Sequence, residues 1–262
     1  MKIDFQQQAL TPGGRAPEDL GIVLPPNPFS AFRAILADAA RREGDPPLAA
    51  ALCARAVRDH WKTVCGRKAT LQPQLCDIAD LQRQCLLGVH HAVRDGIVGR
   101  PAALAYADLA LQDDTALLLQ CGDVTLRILS PEGRLMNLSQ QHRDEDGRLL
   151  VHVGHAPEAP LPFVTAFGIT QEVTLILSTD GLYAALSDDE ISYFLAQVPK
   201  IGAAQAALQI RQCLIRSHFD DDVTFCVLRV SPDMPTPDFQ PSRDRLSPRH
   251  WFGWSRRKVV QR

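Results

Sequence analysis

The chain is 262 residues long, enough for one large domain or two small ones around a sizeable core. A hydrophobic fraction of 45% and a charged fraction of 22% exclude collagen-like, fibrous and wholly disordered classes. With a net charge of only −2, the chain as a whole has no electrostatic reason to coat nucleic acid, which is not expected as a partner.

In chain order, the opening MKIDFQQQAL lacks the apolar run of a secretory signal. No later run reaches the ~18 residues of a bilayer span, since even Ala102–Leu111 is cut by Asp108. A reducing, cytoplasmic setting is expected. The seven cysteines are odd in number and without a Cys-x-x-Cys pair, and they read as buried thiols. Ala31–Ala37 (AFRAILA) is the first predicted strand. Two helical faces follow, one carrying Leu48, Leu52, Val57, Trp61 and Val64, the other Leu75, Ile78, Leu86, Val89 and Val93. Thr115–Cys121, Val124–Leu129 and Val173–Ser178 are short, leucine-rich or β-branched, and bounded by turn residues, so they read as strands. Ser187-Asp-Asp-Glu190 is a capping box that opens a helix with Ile191, Phe194, Leu195 and Val198 on one stripe. A further helix spans Ala203 to about Ser217, and Val223–Val230 is the last strand. Helix pairs lying between early, middle and late strands predict sheets stacked between helices.

Near residue 231 the composition changes. Pro232, Pro235, Pro237, Pro241 and Pro248 replace periodic apolar sequence, and seven Lys or Arg against one acid from Arg243 onward give a local +6, leaving −8 on residues 1–242. Trp251, Phe252 and Trp254 among Arg249, Arg256, Arg257 and Lys258 suit a partner groove or an anionic surface, and equally suit a solubilising tail.

Three aspartates stand at strand ends, where a rigid ladder can hold a carboxylate beside an open loop. Asp38 follows AILA, Asp180 follows LILST and precedes Gly181, and Asp221-Asp222 opens VTFCVL. Carboxylates from separate strands are a usual way to gather hard cations such as Mg²⁺ or Mn²⁺, although any one acid at a strand end is equally a turn former. His90-His91, His152 and His155 share no ligand spacing with a cysteine or a third histidine on a common face.

Taken together, the wording around these aspartates resembles the metal-dependent protein phosphatases (PPM, type 2C), in a divergent, bacterial-like form. Leu175–Ile191 (LILSTDGLYAALSDDEI) is similar to the family's strand, Asp-Gly turn and Leu-Ser-x-x-Glu helix start. His218–Val230 (HFDDDVTFCVLRV) resembles its closing Asp-Asn/Asp-hydrophobic-Thr strand. Thr11–Val23, Ala34–Ala40 and Ala116–His142 resemble its opening Gly-x-Arg…Glu-Asp strand, its first metal-binding strand and its Gly-Asp hairpin, in the family's order.

The resemblance implies an α+β fold, a four-layer α-β-β-α sandwich of two mainly antiparallel sheets flanked by helices, over residues 1–230, with 231–262 a Pro-rich basic tail. It implies hydrolysis of phosphoserine or phosphothreonine in a phosphoprotein substrate by a centre of two Mg²⁺ or Mn²⁺ ions. Asp38, bridging, with Asp180 and Asp221 would ligate the ions, Ala39 would offer its backbone carbonyl, Glu18 or Asp19 would hold metal-bound waters, and Arg15 would grip the phosphate. The family's Asp-Gly-x-Gly-Gly-His loop is here Asp38-Ala-Ala-Arg-Arg-Glu43, without its later glycines and the histidine that serves as an acid. Two readings of function follow: a phosphatase, or a pseudophosphatase that keeps the fold as a regulatory or binding module. A phosphatase dedicated to an anti-sigma-type switch protein is a third.

Overall fold

The structure, a computed structural model, describes residues 1–26, 31–40, 45–66, 74–97, 102–146 and 148–232. The tryptophan-bearing tail, Arg41-Arg42 and Gly99–Pro101 lie outside the described residues.

Among the described residues, ten strands form two five-stranded sheets. The first has the order β1-β10-β9-β6-β7, with β1 Lys2–Leu10, β6 Thr125–Leu129, β7 Leu135–Asn137, β9 Val173–Ser178 and β10 Val223–Ser231. The second has the order β2-β3-β4-β5-β8, with β2 Asp19–Leu24, β3 Phe32–Ala39, β4 Leu104–Gln112, β5 Thr115–Cys121 and β8 Phe163–Gly168. Every neighbouring pair is antiparallel. Helices α1 (Pro46–Cys65) and α2 (Leu75–Gly96) cover the second sheet, and α3 (Gly181–Ala185), α4 (Asp188–Leu195) and α5 (Val198–Ser217) cover the first.

Period-two alternation sorts the strand residues into three apolar layers. Along β3, Phe32, Ala34 and Leu36 face the other sheet, where they meet Leu175, Leu177, Cys226 and Leu228. The intervening Ile35, Ala37 and Ala39 face α1 and α2 and pack with Cys53, Val57, Val89 and Val93. On the far side, Ile176, Phe225 and Val227 meet Ile191, Leu195, Ala206 and Ile210. This is the α-β-β-α sandwich the sequence implies.

The helix-facing surface of the second sheet also carries a buried ion pair. Arg33 Nε donates to Asp108 Oδ1 at 3.0 Å and Nη2 to Asp108 Oδ2. Gln82 Nε2 donates to the Asp108 carbonyl at 2.7 Å, and the Tyr106 hydroxyl to Asp108 Oδ2 at 3.3 Å. Burial lowers the guanidinium's affinity for its proton and Asp108 more than restores it, so Arg33 stays charged.

The Ser187–Glu190 capping box is formed, with Glu190 N–H donating to Ser187 Oγ and Ser187 N–H to Glu190 Oε2. Helix α5 breaks at Gly202, whose φ of +82° is open to glycine. The helix restarts at Ala203, the residue the spacing marks, and there the Ala203 N–H donates to Asp4 Oδ2 of β1 at 2.8 Å. A residue from the first strand thus caps the last helix.

Several elements escape the pattern. β1 contains Gln6-Gln7-Gln8 and pairs with nothing nearby in sequence, and the continuous apolar run of β4 has no periodicity to separate strand from helix. Cys53, Cys85, Cys121 and Cys226 are buried, but Cys65 and Cys76 are exposed and Cys213 is half-buried, which corrects the reading of all seven as core thiols. The buried stripe of α1 runs through Ala49, Cys53 and Val57, leaving Leu48 exposed: alanines, not the larger leucine, let the helix approach the sheet.

Candidate active site

Where the two sheets end together, the inter-sheet face stops being apolar. Asp38 continues the Phe32, Ala34, Leu36 side of β3, and Asp19 lies directly opposite it on β2. Asp180 follows β9 and starts α3 without capping it. Asp123 follows Gly122 in the turn from β5 to β6. Four carboxylates from four chain segments therefore share one end of the sandwich.

Their electrostatics report the crowding. Burial, then repulsion by Asp222 and Asp180, pushes the Asp19 carboxyl up to about 7, although the Thr179 hydroxyl donates to it at 2.7 Å. Burial and the charges of Asp19, Asp180 and Asp123 push Asp38 well above the usual carboxylate range. Asp123 is raised too, by burial and by Asp180, against the pull of Arg143.

Two loops are bound to each other around this cluster. Asp222, fully buried, accepts from the Glu18 N–H at 2.7 Å and the Asp19 N–H at 3.4 Å through Oδ2. Thr179 Oγ accepts from the Thr224 N–H at 3.0 Å, joining the end of β9 to β10. Gly181 is required by close approach: a Cβ there would stand 2.1 Å from the Asp222 carbonyl oxygen. That contact is the physical content of the Asp-Gly signal.

The sequence-derived residues divide as follows. Asp19, Asp38 and Asp180 come together. Asp221 accepts the Asp222 N–H through Oδ1 at 2.8 Å, and is half-buried at the start of β10. Glu18 is placed beside Asp222 through its backbone. Ala39 turns its methyl to the helix layer, with its N–H on the Glu18 carbonyl at 3.3 Å. Arg15 is exposed and anchored by Nη2 to the Asp220 carbonyl at 2.9 Å, next to Asp221.

Two residues went unassigned in the sequence, Asp123 and Arg143. Arg143 donates from Nε and Nη2 to Asp123 Oδ2 and from Nη2 to Asp180 Oδ2, so one guanidinium joins two of the clustered carboxylates. It projects from an excursion between β7 and β8, where it forms an isolated bridge with Leu149. His142 beside it accepts the Gly122 N–H through Nδ1 at 3.1 Å and the Leu150 N–H through its carbonyl at 2.8 Å. The run Arg143-Asp-Glu-Asp reads locally as a solvated turn, and only the Gly-Asp turn at 122–123 hinted at its partner.

Among the described residues, no three His, Cys, Asp or Glu side chains stand as a ready ligand set. The donor chemistry nonetheless fits Mg²⁺ or Mn²⁺. The gathered acids offer carboxylate oxygens, the ligand type that hard cations prefer, and burial with neighbouring carboxylates pushes Asp19 and Asp38 toward their protonated forms.

Comparison with solved structures finds the same fold in a serine/threonine phosphatase of S. agalactiae, at 15% identity and a TM-score of 0.69, covering 87% of this chain and 98% of that one. Serine/threonine phosphatase Stp1 from Staphylococcus aureus gives 14% identity and a TM-score of 0.72 over 88% and 96%. The catalytic domain of the serine threonine protein phosphatase PstP, in complex with two manganese ions, gives 16% and 0.62 over 88% and 100%. No curated protein sequence matches the chain. Among the described residues, no helix is long and apolar enough to cross a membrane. The family model described as Stage II sporulation protein E (SpoIIE) matches residues 47–231, a span that begins after Asp19 and Asp38 and takes in Asp123, Arg143, Asp180 and Asp221. With that match over most of its length, and the sandwich built as described, the chain belongs to the SpoIIE family of PPM-type phosphatases.

Proposed function

We propose that the chain hydrolyses phosphoserine or phosphothreonine in proteins at the aspartate cluster, with two Mg²⁺ or Mn²⁺ ions. The observation that carries this is the in-register pair Asp19 and Asp38 meeting Asp180 at the open end of the sandwich. Asp38, Asp180 and Asp221, with the Ala39 carbonyl, hold the ions, and Glu18 or Asp19 holds the waters around them. When bound, such ions acidify a water into a nucleophile and neutralise charge on phosphoryl oxygens.

The chain's own residues supply order and charge. Thr179 fixes the direction of the Asp19 carboxylate, and Asp222 fixes the backbone that presents Glu18 and Asp19. Arg15, held by the carbonyl next to Asp221, offers an exposed guanidinium whose planar donors match a phosphate. Residues 1–230 form the phosphatase-like domain, which we place in the cytoplasm. Residues 231–262 add a basic, tryptophan-bearing tail for a partner or an anionic surface.

A second reading has its own observation. Arg143 lies across Asp123 and Asp180, as it would in a module that keeps the fold and has given up the reaction. Phosphopeptide turnover with and without Mn²⁺, for the full chain and its Asp38→Asn and Asp180→Asn variants, separates the two. Manganese-dependent release of phosphate, lost in both variants, supports the enzyme. No turnover at any manganese concentration, with no manganese binding by calorimetry, supports the module.

A further inference from the structure

Arg143 is not among the residues that the phosphatase reading uses, yet it pairs with two carboxylates of the cluster, Asp123 and Asp180. Asp123 is only 6% exposed on its side chain, so its negative charge is poorly served by water and well served by a guanidinium. Asp180 and Arg143 are each 38% exposed, so that half of the contact faces solvent and can open. The arginine is also held from behind: His142 is bound on both sides, to Gly122 and to Leu150, and Arg143 itself bridges to Leu149. The side chain is aimed into the cluster by a built excursion.

We propose that Arg143 is the resident counter-cation of the aspartate cluster, and that a divalent cation enters by displacing its guanidinium from Asp123 and Asp180. The inference rests on the metal-dependent reading of the site. Three physical points carry it. The Nη2 group donates to Asp180 Oδ2, one of the two oxygens that Asp180 can offer a cation. A guanidinium and a divalent ion a few ångströms apart repel one another strongly where water is scarce. A guanidinium also spreads a single charge over three nitrogens, whereas a divalent ion supplies twice the charge at the carboxylate oxygens themselves.

The consequence is a built-in threshold. An ion that binds at Asp123 and Asp180 must first release an ion pair, so its affinity is set below what the carboxylates alone would give. Metal loading is also tied to movement of the Arg143 side chain, and through it to the excursion between β7 and β8. Losing the arginine removes the competitor but leaves the carboxylates in place, so it must act oppositely on the metal-free and metal-loaded states.

The test is Mn²⁺ binding by isothermal titration calorimetry on the full chain, its Arg143→Met variant and its Arg143→Gln variant, the second keeping a hydrogen-bonding group in case the first does not fold. Circular dichroism checks the fold of each. Either folded variant binds Mn²⁺ about fivefold more tightly than the unsubstituted chain, the upper scale expected from one partly exposed ion pair released. In chelator the same variant melts at a lower temperature than the unsubstituted chain. In the unsubstituted chain, Mg²⁺ titration shifts the Arg143 Nε–H resonance and speeds its exchange with water. Equal or weaker Mn²⁺ binding by a folded variant overturns the inference and leaves the phosphatase reading intact. An Arg143 resonance unmoved by saturating Mg²⁺ overturns the inference alone, and absence of Mn²⁺ binding in all three proteins overturns both.

Discussion

Asp19 and Asp38 are direct cross-strand partners on β2 and β3, two like charges placed opposite one another in a ladder that ordinarily disfavours them. Burial first, and then neighbouring carboxylates (Asp222 and Asp180 for Asp19; Asp19, Asp180 and Asp123 for Asp38), push both carboxyls up. A raised carboxyl binds its proton more tightly folded than unfolded, so its favourable contribution is present at low pH and is lost as pH rises through the folded value, about 7 for Asp19.

Asp38→Asn therefore raises the melting temperature of the metal-free chain by a few degrees at pH 8, and by less at pH 5. Thermal melts in chelator at the two pH values check this. The same substitution abolishes the stabilisation that Mn²⁺ gives the unsubstituted chain. A lower melting temperature at pH 8 than at pH 5 for the variant relative to the parent would contradict the assignment.

The Arg33–Asp108 pair predicts a different pattern. Asp108→Ala leaves a buried guanidinium unpaired and costs about 3–5 kcal/mol in urea unfolding. The double substitution Arg33→Met with Asp108→Leu removes both charges and recovers most of that loss. A double variant as unstable as Asp108→Ala would show that shape, not charge, governs the site.

Gly181→Ala forces a methyl against the Asp222 carbonyl, which is backbone and has little room to yield. The expected cost is about 1–3 kcal/mol, as for overpacking elsewhere. Because Asp222 also holds the Glu18 and Asp19 amides, Mn²⁺ binding weakens together with stability. Calorimetry and urea unfolding on the same sample test whether the two losses travel together.

His90 sets an acid limit. Its ring is buried, its Nδ1 accepts the Gly154 N–H at 3.2 Å, and burial pushes its pKa below the ordinary 6.5. The neutral form is the folded form, so stability is complete above about 6.5 and is lost as pH falls toward the lower folded value. His90→Gln flattens that decline between pH 7 and pH 5. A decline of the same depth in the variant would assign it to other groups.

Legibility in the sequence followed local physics. β9 begins and ends where turn residues and β-branching place it, and the α4 start is fixed by a capping box that needs nothing beyond four residues. The Asp-Gly at 180–181 was readable because a close backbone approach tolerates only glycine. β1 was not, because its glutamines find their place only against β10, more than two hundred residues later. Arg143 was illegible for the same reason at the level of the site: its partners lie 20 and 37 residues away, and its immediate neighbours describe a solvent-facing turn.

The pairing of β1 with β10 joins two strands more than two hundred residues apart in the chain. During synthesis the second sheet has all its strands once residue 168 has emerged, so Asp19 and Asp38 can be set in register early. The first sheet must wait, with β1 holding an unpaired edge, until Val223–Ser231 appears between it and β9. Asp4, which caps the restart of α5 at Ala203, waits with it. The contacts of Thr179 with Asp19 and of Asp222 with the Glu18 amide then join the two sheets at the acidic cluster. Until β10 is in place, the chain therefore carries the aspartates without their arrangement.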